Sequence, residues 1–475
     1  MIDLATSKKR EIKAMTKRRK VFYVRSKIIT LLFLAVFFVP SLCWATAHYV
    51  DKNASGSNDG SSWANAWNSL TTIDWGDIGS GDIIYVSGGS SSKTYFETLS
   101  VGANGIDGNP VLITKGTDEG HNGTVIIDAE YKRNRGIYIG DYDYLTIDGF
   151  TIRNVGGSGT NAAIELYRSD YVTIQNCIIQ DFRRFGIFVN GYTPNYCNEI
   201  KVLNCTIENE DGTYNYQTDN LYVQYTIGFE AGGNTITHHY NSYPDQHSDA
   251  IQTNFIDGTF LFHGNLVQTV GGGSINTNNW IMGYLDGTIK IYNNVILGSS
   301  GHQWHAIQIR KDSGYTATLE MYNNYIKSQH STGYVAQISI SDVIFKNNIL
   351  HSFNNVTVHF ENGVDTNSNC DYNLYYRETG TAIAGDEGGQ KTWSQWQAAG
   401  YDAHGLNSNP SLDANYAPDE TDDPAVDAGT TIPFFSTDMV GKTRPHGSAW
   451  DIGVFELITN SSALLDPPQN LRILN

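Results

Sequence analysis

The sequence has few basic residues, few cysteines and few patterns typical of a long amphipathic helix. Ten of its 31 Lys and Arg residues lie in the first 47 positions, together with two of its 49 Asp and Glu residues. The rest of the chain therefore holds 21 basic and 47 acidic residues, a net charge of −26. A surface of this charge repels nucleic acid and anionic membranes, so we expect neither as a partner. Five cysteines in 475 residues exclude a small disulfide scaffold.

Cofactor motifs are also missing from the sequence. It contains neither a P-loop nor the glycine fingerprint of a dinucleotide-binding fold, so we expect no organic cofactor. The adjacent His238 and His239 lack the spacing of zinc ligands. The many acidic residues could instead bind Ca²⁺, which prefers carboxylate and carbonyl oxygens. Calcium is therefore a candidate cofactor without assigned ligands.

The first 47 residues have the pattern of a secretion signal. Basic residues between Lys17 and Lys27 precede an apolar run at 28–39, and Ala45-Thr46-Ala47 fits a cleavage site. The apolar run is shorter than the roughly 20 residues of a membrane span. We predict an exported chain without stable membrane insertion after cleavage, with an uncleaved anchor as the alternative.

A unit of nearly constant length repeats along the rest of the chain. Stretches such as "DGFTI", "NCII", "GNTI" and "NNVI" return at steps of 27, 28, 29, 31, 29, 30, 24 and 25 residues. Each stretch ends on an anchor residue: Ile152, Ile179, Ile207, Ile236, Val267, Ile296, Ile326, Leu350 and Tyr375. The unit is too short for a propeller blade, and its short alternating stretches are typical of half-buried strands. Three short strands per coil of a parallel β-helix fit it, with coils about 4.8 Å apart.

A column of asparagines precedes the later anchors by two residues. Its members are Asn234, Asn265, Asn294, Asn324, Asn348 and Asn373. Stacked asparagine side chains can hydrogen-bond along the axis of the solenoid, although asparagine also favours turns in general. Cys177 and Cys205 precede their anchors in the same column, one coil apart. Their predicted Cα separation suits a disulfide, but parallel Cβ directions favour simple stacking.

Segments at both ends of the mature chain carry a resemblance to a known family. "YVDKNASGSNDGSSWANAWNSL" and "GDIIYVSGG" stand at the start, and "WSQWQAAGYDAHGLNSNPSL" and "GKTRPHGSAWDIGVFE" stand near the end. With these segments the chain resembles secreted bacterial right-handed parallel β-helix proteins of the pectate-lyase-like superfamily. The resemblance implies an all-β, single-stranded right-handed parallel β-helix of about ten or more coils with a capped C-terminal end. It does not imply one activity, because this scaffold hosts lyases, hydrolases, epimerases and non-catalytic proteins.

The predicted organisation follows from the repeat and this resemblance. We expect a signal peptide, an entry and cap segment, the β-helix, a closing segment and a tail, at 1–47, 48–80, 81–380, 381–458 and 459–475. In the closing segment, Asp438, Arg444, Asp451 and Glu456 are interpreted as an Arg–carboxylate clamp that seals the open end of the solenoid. We expect a monomer located in the periplasm, at the cell surface or outside a bacterial cell.

A second strand of each coil defines a candidate groove. Its inward aliphatic residues are predicted to be Ile164, Ile187, Leu221, Ile251, Ile281 and Ile307. Because strand side chains alternate, residues one and three positions later point outward. The first outward column is Glu165, Phe188, Tyr222, Gln252, Met282 and Gln308. The second outward column is Tyr167, Asn190, Gln224, Asn254, Tyr284 and Arg310.

The predicted site is a polar stripe along this groove, bordered by the insert "THHYNSYPDQHSD". Its catalytic candidates are His247, Asp249, Tyr284, His305, Arg310 and Lys311. Its substrate-binding candidates are Tyr222, Gln252, Asn254, Trp280, Trp304 and Gln308. Aromatic platforms beside hydrogen-bonding side chains suit a sugar polymer, although each of these residues could also be a solvated side chain.

The first hypothesis for function is β-elimination of an acidic extracellular polysaccharide. Arg310 or Lys311 would neutralise the sugar carboxylate or act as the base, His247 or His305 would be an alternative base, and Tyr284 the acid. No characteristic catalytic motif of a lyase family is intact, so no family residues are carried over.

Two alternatives belong to other classes of function. A glycoside hydrolase would use two carboxylates, with Asp219, Asp245 and Asp249 as candidates. A non-catalytic surface protein would only bind glycan along the groove.

Overall fold

The computed structural model describes residues 45–457, apart from 158, 160, 210–216, 240–247, 271–279, 299–304, 311–313, 315, 331, 341, 362–368 and 422. Residues 1–44 of the predicted signal peptide and the whole predicted tail, 459–475, lie outside the described residues. No helix among the described residues is long and apolar enough to cross a membrane.

The chain forms a parallel β-helix whose strands stack in three rows. The row that carries the predicted anchors, here the anchor stack, has twelve strands in one sheet. They are Ser92–Tyr95, Thr124–Asp128, Thr151–Val155, Ile178–Phe182, Thr206–Glu208, Thr235–His239, Leu266–Val270, Val295–Gly298, Tyr325–Ser328, Ile349–Ser352, Leu374–Arg377 and Leu406–Asn407. The predicted number of coils agrees with this row.

The second row, the groove stack, carries the predicted groove strands. It consists of Leu99–Ser100, Arg135–Gly140, Ala162–Tyr167, Phe185–Asn190, the first parts of Asp219–Gly232 and Ile251–His263, Trp280–Leu285, His305–Arg310, Tyr334–Ser339, Val358–Phe360 and Ala382–Asp386. Gly389–Thr392 then adds one antiparallel strand at the end of this row.

The third row, here the third stack, completes each coil. It consists of Ala47–Val50, Ile83–Val86, Val111–Lys115, Leu145–Asp148, Val172–Gln175, Cys197–Leu203, the second parts of Asp219–Gly232 and Ile251–His263, Gly287–Tyr292, Ala317–Tyr322, Asp342–Lys346 and Asn369–Asp371. A 3₁₀-helix at Trp75–Asp77 and an α-helix at Trp393–Ala398 are the described helices.

The predicted repeat register is confirmed in the anchor stack. Strand pairing places all nine predicted anchors in one row, each beside the next. Their side chains are buried and contribute to one continuous core. The constant period therefore reflects one inward position per coil. An apolar side chain is favoured there, because burial of a polar group without a hydrogen-bond partner costs free energy.

The predicted asparagine column is a hydrogen-bonded ladder. Oδ1 of Asn294 accepts from the backbone N and from Nδ2 of Asn265, at 2.9 and 3.0 Å. Nδ2 of Asn294 in turn donates to Oδ1 of Asn324 at 2.9 Å and to the carbonyl of Phe262 at 2.9 Å. The same pattern joins the other ladder members, which are all fully or almost fully buried. Each coil thus provides hydrogen-bond partners for the turn of its neighbour.

The cysteines of this column are stacked without a disulfide. Cys177 and Cys205 are free and buried, as are the other cysteines in the described residues, Cys197 and Cys370. The Sγ of Cys177 donates to the carbonyl of Gln175 at 3.3 Å. The expectation of simple stacking is confirmed.

The open C-terminal end is covered by the α-helix Trp393–Ala398. Thr392 and Gln395 form a capping box at its start. Trp396 is fully buried and stacks on Tyr401, with ring centroids 4.0 Å apart, and on Phe360 at 5.8 Å. These aromatic side chains close the apolar interior.

The Arg–carboxylate clamp exists, but it lies on the flank of the solenoid and not over its open end. Nη1 of Arg444 donates to Glu456 at 2.7 Å, and both side chains are fully buried. Asn293, Asn323 and Asn347, on three successive coils, donate to carbonyls of the segment from 423 to 457. The segment covers outward apolar residues of the anchor stack, Leu266, Val295, Tyr325, Ile349 and Leu374. The groove stack is a different face.

Candidate functional site

The predicted groove columns are confirmed in the first half of the groove stack. Ile164, Ile187, Leu221 and Ile251 pair in successive coils, and all four are buried. Strand pairing also aligns the four residues that follow each of them directly, Glu165, Phe188, Tyr222 and Gln252. Tyr167, Asn190, Gln224 and Asn254 form the second outward column as predicted.

The register predicted for the next coil is wrong by one residue. Trp280 pairs with Ile251, and Ile281 pairs with Gln252 and Gln308. The row position of Asn254 is taken by Gly283, not by Tyr284. In this backbone register, Met282 and Tyr284 do not hold the row positions of Gln252 and Asn254 that were predicted for them. The backbone of Trp280, not that of Ile281, occupies the row position of Ile251.

Asp249 is buried, in contrast to the exposed position expected for it. Asp219 and Asp249 hold equivalent positions in successive coils, and the backbone N of Asp249 donates to Oδ1 of Asp219 at 2.9 Å. Neither side chain has exposed surface. Nε2 of Gln217 bridges the pair to the groove, donating to Oδ2 of Asp219 at 3.0 Å and to Oε1 of Gln252 at 2.5 Å.

An aromatic platform lies on the groove stack next to Gln252. The rings of Phe188 and Tyr222 are parallel within 3°, with centroids 5.1 Å apart, and Phe185 packs against both. Burial raises the pKa of Tyr222, and the Asp219 carboxylate adds to this effect. The phenol therefore stays neutral in the physiological range. The predicted role of Tyr222 as a sugar platform fits this geometry.

His305 is buried against the adjacent coil. Its ring stacks on Tyr334 at a centroid distance of 5.1 Å, and Tyr334 stacks on His359 at 4.7 Å. Burial lowers the pKa of His305 to about 4. Its Nδ1 accepts the backbone N–H of Tyr334 at 3.2 Å, so the neutral ring carries its proton on Nε2. The ring lone pair, on Nδ1, is already engaged by the N–H of Tyr334, which disfavours His305 as general base.

Arg310 is exposed at the end of its strand beside a polar network. Nε2 of Gln308 donates to Oε1 of Gln337 at 2.7 Å, and Gln337 donates to Glu361. Oγ of Ser339 donates to the second oxygen of Glu361 at 2.7 Å. The backbone of Arg310 pairs in register with Ser339, yet its side chain has no hydrogen-bond or ion-pair partner in the described part of the chain. Its guanidinium is available to a ligand.

Several predicted site residues lie outside the described part. His247, Asp245, Trp304 and Lys311 are not described, and for Trp280 and Tyr284 only the backbone is described. Their roles remain predictions.

The sequence analysis missed a basic cavity on the first coils of the groove stack. It is open, has a volume of about 390 Å³, and is lined by Thr98, Ser100, Lys132, Arg133, Asn134, Arg135 and Tyr138. Arg135 precedes Ile137, which pairs with Ile164, so this coil continues the groove stack. The signal was present in "KRNRGIY", which places three cations within four residues.

Arg135 is held in one orientation inside this basic cavity. Its Nε donates to the carboxylate of Glu165, and the guanidinium lies 4.6 Å from the centre of the Tyr138 ring. Asn190 donates to the other oxygen of Glu165 at 2.9 Å, and Gln224 donates to Asn190 at 2.8 Å. The polar chain from Arg135 to Gln224 therefore follows the groove over four coils.

The described residues contain no group of three or more His, Cys, Asp or Glu side chains that could hold a metal ion. A calcium site therefore stays a prediction without assigned ligands.

Comparisons with known proteins agree with this architecture. The family model described as "Right handed beta helix region" matches residues 72–236 and 135–296. The crystal structure of the pectate lyase Pel9A is 17% identical and covers 86% of this chain and 96% of its own, with a TM-score of 0.52. A complex of XylC with xylose is 11% identical and covers 87% of this chain and 98% of its own, with a TM-score of 0.51. A search of curated proteins finds no match. The chain is a right-handed parallel β-helix, and its fold is similar to that of pectate lyase Pel9A.

Proposed function

We propose that this protein binds an acidic polysaccharide along the groove stack and cleaves it by β-elimination outside the cytoplasm. The observation that carries the proposal is the exposed Arg310, a cation without a protein partner in the described part of a strongly acidic chain. The groove places it on the same face as the Tyr222 platform and the Gln308–Gln337 network. A polymer with carboxylates and hydroxyls matches this combination of donors and rings.

In β-elimination, a base removes the C5 proton of a uronic acid, the C4–O bond breaks, and a double bond forms between C4 and C5. The leaving oxygen takes a proton, so the products are one unsaturated and one saturated sugar end. Neutralising the C6 carboxylate stabilises the charge that develops when the C5 proton leaves. Arg310 can do this through a bidentate pair.

The base is better sought in Lys311 or His247 than in His305. The proton of neutral His305 sits on Nε2, and its other ring nitrogen is already occupied by the N–H of Tyr334. Lys311 follows Arg310 directly, and His247 precedes the groove strand by four residues. Tyr284 stays a proposed acid, although the corrected register moves it out of the Arg310 row.

The carboxylate pair needed by a glycoside hydrolase is less well supported. Asp219 and Asp249 are adjacent, but neither carboxylate has exposed surface. A glycosidic bond lying on the outer face of the groove would have to reach both carboxyl groups.

The test is incubation of the purified mature protein with polygalacturonate, alginate and glycosaminoglycans, with calcium and with chelator. Ultraviolet absorbance of the unsaturated end and the number of reducing ends are followed together. We expect absorbance to increase with time. The rate of this increase should be about 10²–10³-fold lower in Arg310→Ala, the usual loss on removing one donor to a developing negative charge. Lys201→Gln is the matched control, because it removes an exposed cation from the third stack.

The two signals separate the alternatives. Reducing ends without absorbance would replace elimination by hydrolysis. Polymer binding with neither signal would mean a non-catalytic glycan-binding protein. Full activity in Arg310→Ala would overturn the site assignment.

A further inference from the structure

We propose that the basic cavity is a second anionic subsite, in which Arg135 binds the carboxylate of a uronic acid unit remote from the bond that is cleaved. This inference rests on the proposed function, since it assigns a further position to the same acidic polymer. It concerns residues that take no part in the elimination step.

The first argument is the preorganisation of Arg135. Its Nε is engaged by Glu165, whose side chain is only 3% exposed, and its face rests on Tyr138. Its two Nη groups have no hydrogen-bond partner within the described residues, while the side chain is 35% exposed at the cavity. A guanidinium fixed in this way presents donors for a planar carboxylate.

The second argument is the balance of charge in the cavity. Lys132 and Arg133 share a single carboxylate, that of Glu130, at 3.1 and 2.9 Å. With Glu165 paired to Arg135, three cations face two carboxylates. The local surplus is positive, although the mature chain is strongly acidic. Such a spot attracts an anionic ligand and disfavours a neutral one.

The third argument is the chemistry of the remaining lining. Thr98, Ser100 and Asn134 provide hydroxyl and amide groups beside the cations, and Tyr138 provides a ring. These groups suit the hydroxyls and the apolar face of a sugar. A volume of about 390 Å³ lies in the range of small-ligand pockets.

The fourth argument is the position of the cavity. Strand pairing separates the coil of Arg135 from the coil of Arg310 by six steps. At a spacing of about 4.8 Å per coil, the distance is about 29 Å. A short oligosaccharide therefore cannot fill both positions, so the cavity can be tested separately from Arg310.

The experiment measures binding by calorimetry at low salt. The probes are trisaccharides of galacturonate, mannuronate and guluronate, and the methyl-esterified galacturonate trisaccharide is the uncharged control. The variants are Arg135→Gln and the double variant Arg135→Gln/Glu165→Gln, which avoids an unpaired buried carboxylate. Lys201→Gln again removes a cation elsewhere, and Arg310→Ala removes the other subsite.

We expect at least one charged trisaccharide to bind and its ester to bind at least tenfold more weakly. Both Arg135 variants should lose at least tenfold in affinity for the charged probe, while Lys201→Gln keeps it. In Arg310→Ala, binding at the cavity should remain. Equal affinity of the double variant and the unmodified protein would overturn the proposal, as would absence of binding by all three charged probes.

The two proposals fail in different ways. If no polymer is cleaved, yet the Arg135 variants no longer bind the charged trisaccharide, the subsite proposal is supported and the lyase proposal is rejected. If polymer is cleaved and Arg135 variants bind the trisaccharides normally, the lyase activity stands and the cavity falls.

Discussion

Oδ1 of Asp402 accepts both the backbone N and Nδ2 of Asn373, at 3.1 and 2.9 Å. These are the two bonds that each ladder asparagine after Asn234 accepts from the coil before it. Asp402 thus occupies the place of a further asparagine. Its Oδ2 accepts from Nε1 of Trp396 at 3.0 Å and from the hydroxyl of Tyr375 at 2.7 Å. The carboxylate therefore joins the ladder to the aromatic cap.

Replacement of Asp402 by Asn should lower the stability of the C-terminal end. An amide keeps one acceptor for Asn373, but its NH₂ group would face the N–H and O–H donors of Trp396 and Tyr375. Because each of these two hydrogen bonds to a buried charged group contributes about 1.5–3 kcal/mol, we expect a loss of about 3–6 kcal/mol in the free energy of unfolding. Urea unfolding followed by tryptophan fluorescence measures it. Asp342→Asn, at an exposed site, should change stability by less than about 0.5 kcal/mol, and equal effects of the two variants would contradict the role of Asp402.

Buried histidines should make the fold sensitive to acid. Burial holds the pKa of His305 at about 4 and that of His238 at about 3, whereas an unfolded histidine titrates near 6.5. The unfolded chain thus binds more protons in this window, so these residues' contribution is complete above about pH 6.5 and is lost as the pH falls towards 4 and below.

His305→Phe should remove part of this dependence while keeping a ring against Tyr334. We expect a smaller slope of unfolding free energy against pH between about 6.5 and 4, by a total on the order of 2–3 kcal/mol. Urea unfolding at several pH values within that range gives the slope. An unchanged slope would show that His305 does not titrate as its burial implies.

The clamp of the closing segment should be strongly destabilised by loss of one partner. Arg444→Met leaves the buried Glu456 carboxylate without its cation, a change that typically costs about 3–5 kcal/mol. We expect faster hydrogen exchange in 423–457. The double variant Arg444→Met/Glu456→Gln should recover most of the loss, because no unpaired charge is then buried. Slow exchange in the single variant would mean that the clamp does not hold the segment.

Tyr222→Ala should weaken polymer binding more than it affects the chemical step. Loss of a stacking ring is worth about 0.5–1.5 kcal/mol, or about a 2- to 13-fold change in affinity, and Tyr222→Phe should retain most of it. Affinity electrophoresis in gels containing the substrate polymer measures the change. Tyr171→Ala removes an exposed ring stacked on Tyr144 outside the groove strands and should bind normally. Equal losses in both variants would argue against the platform.

The architecture could be predicted from the sequence because one physical constraint recurs in every coil. An inward anchor such as Ile236 and a turn residue such as Asn234 return at each step, and both are fully or almost fully buried. The closing clamp was also identifiable, since Arg444 among acids implies a paired cation. Its position on the flank could not be predicted, because nothing in the local sequence indicates that Asn293 and Asn347 hydrogen-bond to the closing segment.

The site was less predictable, for two physical reasons. Asp249 lies two residues before the inward Ile251, so strand alternation agrees with its burial, and its assignment to the exposed polar stripe followed the neighbouring polar insert against this parity. The groove was also started one coil too late, at Ile164, because Ile137 had not been aligned with it. For this reason Arg135 and the basic cavity were not predicted.

The flank position of the segment from 423 to 457 has a consequence for how the protein is made. A solenoid can assemble coil by coil during synthesis, because each coil needs only its neighbours. The outward apolar residues from Leu266 to Leu374, however, obtain their cover from the last part of the chain. Until that part has been synthesised, the earlier coils expose a stripe of apolar surface, and exposed apolar surface promotes association with other chains. Premature termination before Asp423 would leave this stripe permanently exposed, so the segment from 423 to 457 protects coils that are synthesised well before it.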